Sequence, residues 1–407
     1  GSDAGLNLYD AATKSFTRYR NDQTDVHSLG DDTVIELFQD EGGVIWVGTF
    51  NGVSKFNAKT NSFPRFSQDS SRGGLASNAI ASFAEGKLND VWIGTFNGLN
   101  KWDATAGKFV HLPAKDMGLT DNKIMSLGVH EDVLWVGTMI GGINLLKGDQ
   151  LFSIMQHDPN DPMSVSSNAI SKIYTDSRGD IWITTYGGGV NRYLGDGRFE
   201  RFPNGSEGEQ FSELKTLDIV EAEDGRMWVA TDGGGIVVLD PETGATEILR
   251  HDPQDDSSLS SDNVISLLNE DNVIWVGTRD RGMNRFNSRT NSFKRYTRSA
   301  GLASDLVYGM LADEQGKIWI SGGKGLSVLD PTTGRVQVYD STHGLQSDDF
   351  NSGAFLELSD GTFLFGGNNG FNAFDPGLIR GNSYVPPVRI TQFSKFNQPV
   401  PLAVPVY

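Results

Sequence analysis

One tryptophan-centred phrase recurs along the chain and constrains the fold more than any other feature. Seven of the eight tryptophans lie 43 to 47 residues apart, each in a phrase such as IWVGTFNGVSKFN or IWITTYGGGVNRY. A period near 45 residues is the length of one propeller blade, a sheet that must stack on its neighbours to bury both faces. The repeat therefore predicts an all-β fold, a β-propeller of four-stranded blades. The repeated positions are Trp46, Trp92, Trp135, Trp182, Trp228, Trp275 and Trp319, and a degenerate copy follows with Leu364 in the tryptophan position.

The inside of one repeat contains four strand signals. Residues 168–176 alternate apolar and polar side chains, as a half-buried strand does. Glycine-containing turns follow the first two strands, and we expect the tryptophan of the second strand to fill the space between blades. The further strands are predicted at 181–185, 190–194 and 198–202.

The number of blades is open to two interpretations. In the first, seven repeats from Trp92 to Leu364 form one ring, and a strand at 62–66 completes the last blade. In the second, eight repeats form the ring, and a strand at 15–20 closes it. Propellers of four to eight blades are common, so the period alone does not decide.

Composition and charge narrow the class of partner. There are 34 basic and 52 acidic residues, a net charge of -18, which repels phosphate backbones and argues against nucleic acid as a partner. Cysteine is absent, so disulfides and thiol chemistry are excluded. No apolar run approaches the ~20 residues that span a bilayer, and no signal peptide precedes the repeats. We expect a fragment of a longer protein that meets a membrane only through segments outside this sequence.

After Asp375 the repeat pattern stops. Consecutive prolines at Pro386 and Pro387 favour extended backbone and indicate a boundary. Residues 388–398 (VRITQFSKFNQ) then read as the first strand of another β domain.

These phrases resemble the two-component regulator propeller family over nearly the whole chain. The W-[IV]-G-T phrase occurs once per repeat, with the connectors HDPNDPMSVSSNAI and HDPQDDSSLSSDNVI and the ending FLFGGNNGFNAFDP before PPVRITQFSKFNQPV. Members commonly carry two seven-bladed propellers, then a small immunoglobulin-like domain, a transmembrane helix and a histidine kinase or diguanylate cyclase output. The resemblance therefore favours seven blades at 61–384. It implies that 1–60 remain from a preceding propeller and that 385–407 begin an immunoglobulin-like domain.

The resemblance also implies a periplasmic sensor that has no catalysis of its own and needs no cofactor. Characterised relatives sense carbohydrate oligomers or their breakdown products, so the expected partner is an oligosaccharide or another small molecule. A sensor of this family is also expected to form a homodimer as the full-length receptor.

The histidines and acidic residues that could serve catalysis or metal binding have structural interpretations. His157 and His251 occupy the same repeat position, each before Asp-Pro, which is typical of a connector that serves the blade. The acids Asp158 and Asp161, like Asp252 and Asp255, suit calcium in principle, but Asp also forms ordinary turns. We predict no catalytic residue and no metal site.

The turn after the second strand varies most between repeats. In propellers this turn lies at the mouth of the central channel, and loops on a rigid scaffold are where binding residues collect. Aromatic rings there can stack on sugars, and polar tips can bond hydroxyl groups. We predict a ligand-binding set in which the charged turn Arg279-Asp280-Arg281 is central. The full set is Asn97, Met139, Tyr186, Asp232, Arg279, Asp280, Arg281 and Lys324.

Three functions are compatible with these features. The leading hypothesis is a ligand-binding sensor module. The alternatives are a propeller enzyme, either a lyase of the streptogramin-inactivating type or a glycan-cutting enzyme, and a protein-interaction or dimerisation scaffold. An enzyme would need histidines and acids clustered at the channel mouth, and the sequence has no obvious cluster of this kind.

Overall fold

The computed structural model describes residues 3–10, 14–22, 28–40, 43–56, 63–68, 74–202, 215–379, 394–395 and 398–399. The chain divides into two compact units. One is Ser62–Ile379, and the other combines Gly1–Asn61 with Arg380–Tyr407.

The unit that begins at Gly1 contains two antiparallel sheets in its described amino-terminal part. Strands β1 (Leu6–Asp10) and β2 (Ser15–Tyr19) form a two-stranded sheet, and β3 (Val34–Gln39), β4 (Ile45–Thr49) and β5 (Gly52–Phe56) form a three-stranded sheet. Thus Ser15–Tyr19 pairs with Leu6–Asp10, which differs from the role in closing a ring that the eight-blade interpretation gave it.

The described part of Ser62–Ile379 contains seven four-stranded antiparallel sheets, numbered here in chain order. Sheet 1 has β7 (Ile80–Glu85), β8 (Val91–Thr95), β9 (Gly98–Asp103) and β10 (Lys108–Leu112). Sheet 2 has β11 (Ile124–His130), β12 (Val133–Thr138), β13 (Ile143–Lys147) and β14 (Gln150–Met155). Sheet 3 has β15 (Ile170–Thr175), β16 (Ile181–Thr185), β17 (Gly189–Gly195) and β18 (Arg198–Phe202). Sheet 4 has β19 (Thr216–Glu221), β20 (Met227–Thr231), β21 (Gly235–Leu239) and β22 (Thr246–Leu249).

The remaining sheets follow the same order. Sheet 5 has β23 (Val264–Glu270), β24 (Val273–Thr278), β25 (Met283–Asn287) and β26 (Ser292–Tyr296). Sheet 6 has β27 (Val307–Ala312), β28 (Ile318–Gly322), β29 (Gly325–Leu329) and β30 (Val336–Tyr339). Sheet 7 has β31 (Phe350–Glu357), β32 (Phe363–Gly367), β33 (Gly370–Phe374) and the early strand β6 (Arg65–Phe66). Helix is confined to single turns at Lys87–Asn89, Ala114–Met117, Arg298–Ala300, Ser341–His343 and Pro376–Leu378 in the described residues.

The seven sheets close into a ring because the two ends of this unit meet. Strand β6 pairs with β33, which places Phe66 opposite Phe371. On the other side of sheet 7, the Asn351 amide donates to the Ile80 carbonyl of sheet 1 at 2.7 Å. The first strands of successive sheets lie next to one another, so they form the inner wall of the ring.

The repeated tryptophans pack between sheets, as the sequence predicted. Trp182 is fully buried and contacts apolar residues of sheet 4 such as Ile219 and Met227. Leu364 takes the same place in sheet 7 and packs against Val91 and Ile93 of sheet 1. Interlocking of this kind is how a propeller buries both faces of every sheet. The predicted fold class, an all-β propeller of four-stranded blades, is confirmed.

Trp102 is the tryptophan outside the repeat position, and it also serves the core. Its ring lies 4.8 Å from the ring of Phe109 and 6.2 Å from that of Phe66. Because Phe66 belongs to the early strand β6, Trp102 stabilises the junction where the ring closes.

A one-residue β-bulge interrupts the first strand of sheets 1 to 6. In sheet 3 the pairing passes from Ile170–Thr185 directly to Lys172–Thr184, so Ser171 is left out of the ladder. Strand β3 has the same irregularity at Ile35. A bulge bends the strand and re-aims side chains, and it reverses the alternation of faces beyond it. The left-out residues in the ring are Ala81, Met125, Ser171, Leu217, Ile265 and Tyr308.

The carboxyl-terminal region contributes one short ladder to the described structure. Strands β34 (Ser394–Lys395) and β35 (Gln398–Pro399) pair antiparallel. The rest of the strand predicted at 388–398, and most of the domain predicted at 385–407, lie outside the described residues.

Candidate functional site

A cavity of about 530 Å³ lies at one mouth of the ring. Its wall comes from the first strands of sheets 2, 3, 4, 5 and 7 and from the turns that follow the second strands of sheets 2, 3 and 5. This volume is within the usual range for small-molecule sites. Five sheets therefore converge on one concave surface, although no single sheet could form it.

The bulges of the first strands supply four residues of the wall. Met125, Ser171, Leu217 and Ile265 are each left out of the ladder, and each lines the cavity. Bulges often aim a side chain toward a site. The same irregularity thus turns one residue toward the cavity in each of sheets 2 to 5.

The turns after the second strands supply the rim. Met139, Ile140, Tyr186 and Arg279 line the cavity, and all four are exposed. Met139, Tyr186 and Arg279 belong to the predicted ligand-binding set, so three of its eight members meet around one space.

The other five members of that set do not line the cavity. Asp232 lies beside it and contacts Arg279, with the carboxylate 3.6 Å from the guanidinium. Asp280 accepts a long hydrogen bond of 3.5 Å from the Asn263 amide. Asn97, Arg281 and Lys324 are exposed and are not part of the cavity wall. The charged turn at 279–281 therefore contributes only its first residue to the cavity.

A half-buried ion pair lies on the wall of the cavity. Lys172 Nζ is 3.5 Å from Asp218 Oδ1 and 5.4 Å from the centre of the Phe355 ring. Asp218 is 6% exposed, and its other oxygen accepts a 2.9 Å hydrogen bond from the Leu267 backbone N–H. Buried charges need such partners. The pair ties sheet 3 to sheet 4, while the backbone bond ties sheet 4 to sheet 5.

Lys172, Asp218 and Phe355 also line a second cavity of about 550 Å³. That cavity has Tyr174 and Glu221 on its wall, so the three shared residues separate an apolar chamber from a more polar one. Glu221 accepts hydrogen bonds from the Ser177 backbone at 2.7 Å and from the Ser177 hydroxyl at 2.9 Å. Burial raises the pKa of the Tyr174 hydroxyl above its ordinary value, which keeps this group protonated at neutral pH.

Two cations of the rim, Lys215 and Arg279, contact groups on neighbouring sheets. Lys215 Nζ lies 4.9 Å from the centre of the Tyr186 ring, a cation–π arrangement. Burial raises the pKa of Tyr308, Asp349 acts in the same direction, and the nearby charge of Arg279 opposes them. The hydroxyl of Tyr308 is therefore a neutral donor close to Arg279.

Lys172 and Asp218 were missed in the sequence, although a signal for them exists. Their repeat position holds Ser82, Ser126 or Ser266 in other sheets. Ser126 Oγ accepts from the Ile173 N–H of the next sheet at 2.9 Å, as Asp218 does from Leu267. A lysine and an aspartate in adjacent repeats, where a small hydroxyl suffices, indicate a role beyond the blade.

The connectors behave as the sequence predicted for blade-serving residues. His157 Nδ1 contacts the Val165 carbonyl at 2.9 Å, and His251 Nδ1 contacts the Leu259 carbonyl at 2.8 Å. The four connector aspartates accept hydrogen bonds from backbone N–H groups two residues further on, as turn-forming aspartates do. These acceptors are Asp158, Asp161, Asp252 and Asp255.

Catalytic and metal-binding groups are sparse around the central cavities. None of the histidines in the described ranges lines either one. Within the same ranges, no group of three or more histidine or acidic side chains is arranged to hold a metal ion. The described helices are single turns, and none has the length and apolarity to cross a membrane.

Comparison with known proteins identifies the repeat. Residues 164–187 match the model of the two component regulator propeller family. The stretch runs from the end of a connector through the first two strands of sheet 3 to the turn at Tyr186. The chain thus carries the repeat of this family, and the resemblance predicted from the sequence is confirmed.

A curated relative is named histidine kinase P4, from Formosa agariphila. It is 26% identical over 292 residues, which cover 70% of this chain and 21% of the relative. The chain therefore spans about a fifth of the length of the curated relative that it matches.

Solved structures share the fold. The extracellular domain of a hybrid two-component system of B. thetaiotaomicron superposes with a TM-score of 0.73 at 22% identity, covering 99% of this chain and 59% of that one. Virginiamycin B lyase from Staphylococcus aureus superposes with a TM-score of 0.53 at 16% identity, covering 73% and 94%. At these identities the likeness establishes the fold alone.

Proposed function

We propose that this chain is the ligand-sensing propeller of an extracytoplasmic signal-transduction receptor. The observation that carries the proposal is the cavity of about 530 Å³, into which five sheets direct bulged residues and turn residues. A concave, largely apolar wall with a few convergent polar groups is the usual form of a small-molecule site. The ligand enters from the rim of Met139, Tyr186 and Arg279.

The receptor role is supported by the kind of proteins that the chain resembles. The repeat is that of the two component regulator propeller family, the curated relative is named a histidine kinase, and one structural neighbour is an extracellular domain. We infer that binding is passed to an output domain outside this sequence, a histidine kinase or a diguanylate cyclase. The periplasmic location and the homodimer of the full-length receptor stay predictions.

A propeller enzyme is the second candidate, since virginiamycin B lyase shares the fold. A lyase or a glycan-cutting enzyme needs an acid and a base within reach of the substrate. Asp218 is the acid on the wall of the apolar cavity, and it is already held by Lys172 and the Leu267 N–H. This arrangement favours binding without turnover.

The test is a thermal-shift screen of the 407-residue chain against small molecules that include neutral and acidic oligosaccharides, with mass analysis of every compound that binds. A ligand that binds only the folded state raises the Tm by mass action. We expect at least one compound to raise the Tm and to be recovered unchanged. Recovery of cleaved or eliminated product would support the enzyme instead. No shift with any class of compound would contradict the sensing role of this cavity.

A further inference from the structure

The wall of the central cavity has an uneven chemistry that bears on the class of ligand, and the argument rests on the proposed sensing function. Most of the surface is apolar, from residues such as Met125, Met139, Ile140, Ile265 and Phe355. Its charged side chains are two cations, Lys172 and Arg279, and one carboxylate, Asp218. On the wall itself the cations therefore outnumber the carboxylate, and Asp232, the ion-pair partner of Arg279, lies beside the cavity.

The carboxylate of the wall is already engaged by protein donors, whereas the cations still have donors to offer a ligand. Asp218 accepts from the Leu267 N–H at 2.9 Å and faces Lys172. In the described part of the chain, the Arg279 guanidinium has only the 3.6 Å ion pair with Asp232 and donates no hydrogen bond to a side chain or carbonyl group. Charge-assisted hydrogen bonds measure about 2.7–2.9 Å, so the planar N–H donors of Arg279 are still available.

Lys172 also has N–H donors available to a ligand. Its Nζ makes an ion pair of 3.5 Å with Asp218 and a cation–π contact with Phe355, both longer than a charge-assisted hydrogen bond. The hydroxyl of Ser171, by contrast, is occupied, since it donates to the Thr216 carbonyl at 2.6 Å. The free polar groups of the wall are thus donors that carry positive charge.

We propose that the cavity binds a small organic anion, a carboxylate or sulfonate on an aromatic or aliphatic body. The body lies against Met139, Ile140, Ile265 and Phe355, and the anionic group receives paired N–H donors from Arg279 at the rim. A neutral oligosaccharide fits this wall poorly, because its many hydroxyl groups would be buried without partners. About half of the Arg279 side chain is exposed, so its guanidinium can bind the anionic group of the ligand first. The apolar body of the ligand then enters the cavity and loses its water.

A matched pair of fluorescent probes tests the proposal on the full chain. Anilinonaphthalene sulfonate has an apolar body and one negative charge, and N-phenylnaphthylamine has the same body without the charge. We expect the sulfonate to bind at least about tenfold more tightly, the factor that one charge-assisted contact provides. We expect Arg279→Gln to remove that advantage. Arg281→Gln is the control, because Arg281 lies in the same turn and does not line the cavity.

Competition by sugars separates this inference from the sensing function. Displacement of the sulfonate by aryl carboxylates, but not by glucuronate or neutral oligosaccharides, supports the proposal. Displacement of both probes by a neutral oligosaccharide would support the cavity as the ligand-binding site but would contradict the proposal that its ligand is an organic anion. Equal affinity for the two probes, or equal losses in Arg279→Gln and Arg281→Gln, would also overturn it. If none of these compounds binds, the anion proposal fails, and the sensing role is then decided by the thermal-shift screen.

Discussion

Two tryptophans at the same repeat position have different surroundings. Trp182, in the ring, is fully buried, whereas Trp46, in the three-stranded sheet of the other unit, is 40% exposed. Both indoles donate a 2.9 Å hydrogen bond to an aspartate six residues earlier, Asp176 or Asp40. The local structure of the repeat is therefore the same in both places, and burial depends on whether a neighbouring sheet covers it. This is the nearest-neighbour behaviour expected of repeat proteins.

The largest expected effect comes from truncating the two tryptophans. Trp182→Ala should lower the unfolding free energy of the ring by about 3–5 kcal/mol, because a large cavity opens between sheets 3 and 4. Trp46→Ala should lower the unfolding free energy of its own unit by about 1 kcal/mol or less, since much of the Trp46 indole is already exposed to water. Urea unfolding followed by circular dichroism measures both. Equal losses at the two positions would break the comparison.

Replacing the aspartates that bond these two indoles should also destabilise the ring more than the other unit, but with smaller losses than the tryptophan substitutions. Asp176 bonds the Trp182 indole and also accepts from the backbone N–H groups of Arg178 and Asp180 at 3.0 and 2.9 Å. Asp176→Ala leaves the buried indole N–H and the two partly buried backbone N–H groups without their acceptor, which should cost about 1–3 kcal/mol. Asp40→Ala is the matched control at the partly exposed tryptophan, and we expect it to cost less in the same urea experiment. A larger loss from Asp40→Ala would contradict this account.

The same repeat logic explains what could be predicted from the sequence. The tryptophan period predicted four-stranded sheets, and the variable turns predicted that Met139, Tyr186 and Arg279 lie at a mouth. Lys172 and Asp218 were missed, because a period of two describes a strand without a bulge, and the bulge changes which side chains face the channel. The exposure of Trp46 was missed because burial is a property of the neighbouring sheet and is not encoded in the repeat itself.

The ion pair of Lys172 and Asp218 can be tested by returning both positions to the serine of other repeats. Asp218→Ser keeps an acceptor for the Leu267 N–H, as Ser126 does for Ile173, but it leaves Lys172 unpaired. Residues in contact show coupling energies of about 0.5–3 kcal/mol, so the double variant with Lys172→Ser should recover part of the stability lost by Asp218→Ser. Strictly additive losses would show that the two charges are not coupled.

The smallest expected effect is a pH dependence at the end of the first strand of sheet 5. Burial raises the pKa of Glu270 above its ordinary value of 4.5, and the neighbouring charges of Asp271, Glu357 and Asp313 act in the same direction. The folded state thus holds this proton more tightly than the unfolded state does. The carboxylate therefore disfavours the fold at neutral pH, and this penalty disappears as the pH falls through the raised value and below the ordinary one.

Glu270→Gln should accordingly raise the Tm more at neutral pH than at acidic pH. Asp330→Asn serves as a control of opposite sign. Hydrogen bonds from the Thr333 hydroxyl and backbone lower the pKa of Asp330, so its contribution is present at neutral pH and lost as the pH falls. Differential scanning calorimetry of both variants across this range measures the two trends. The same pH trend in both variants would contradict a raised pKa for Glu270 and a lowered pKa for Asp330.

The most direct test of the central claim is to fill the cavity and measure binding. Ser352 is exposed on the cavity wall, so Ser352→Trp places an indole in that space without opening the core. Ser288→Trp adds the same indole at an exposed turn away from the cavity. Calorimetric titration of any compound found by the thermal-shift screen should show binding to the Ser288→Trp variant and none to Ser352→Trp, with both variants folded. Undiminished binding by Ser352→Trp would contradict the claim that the ring senses its ligand in this cavity.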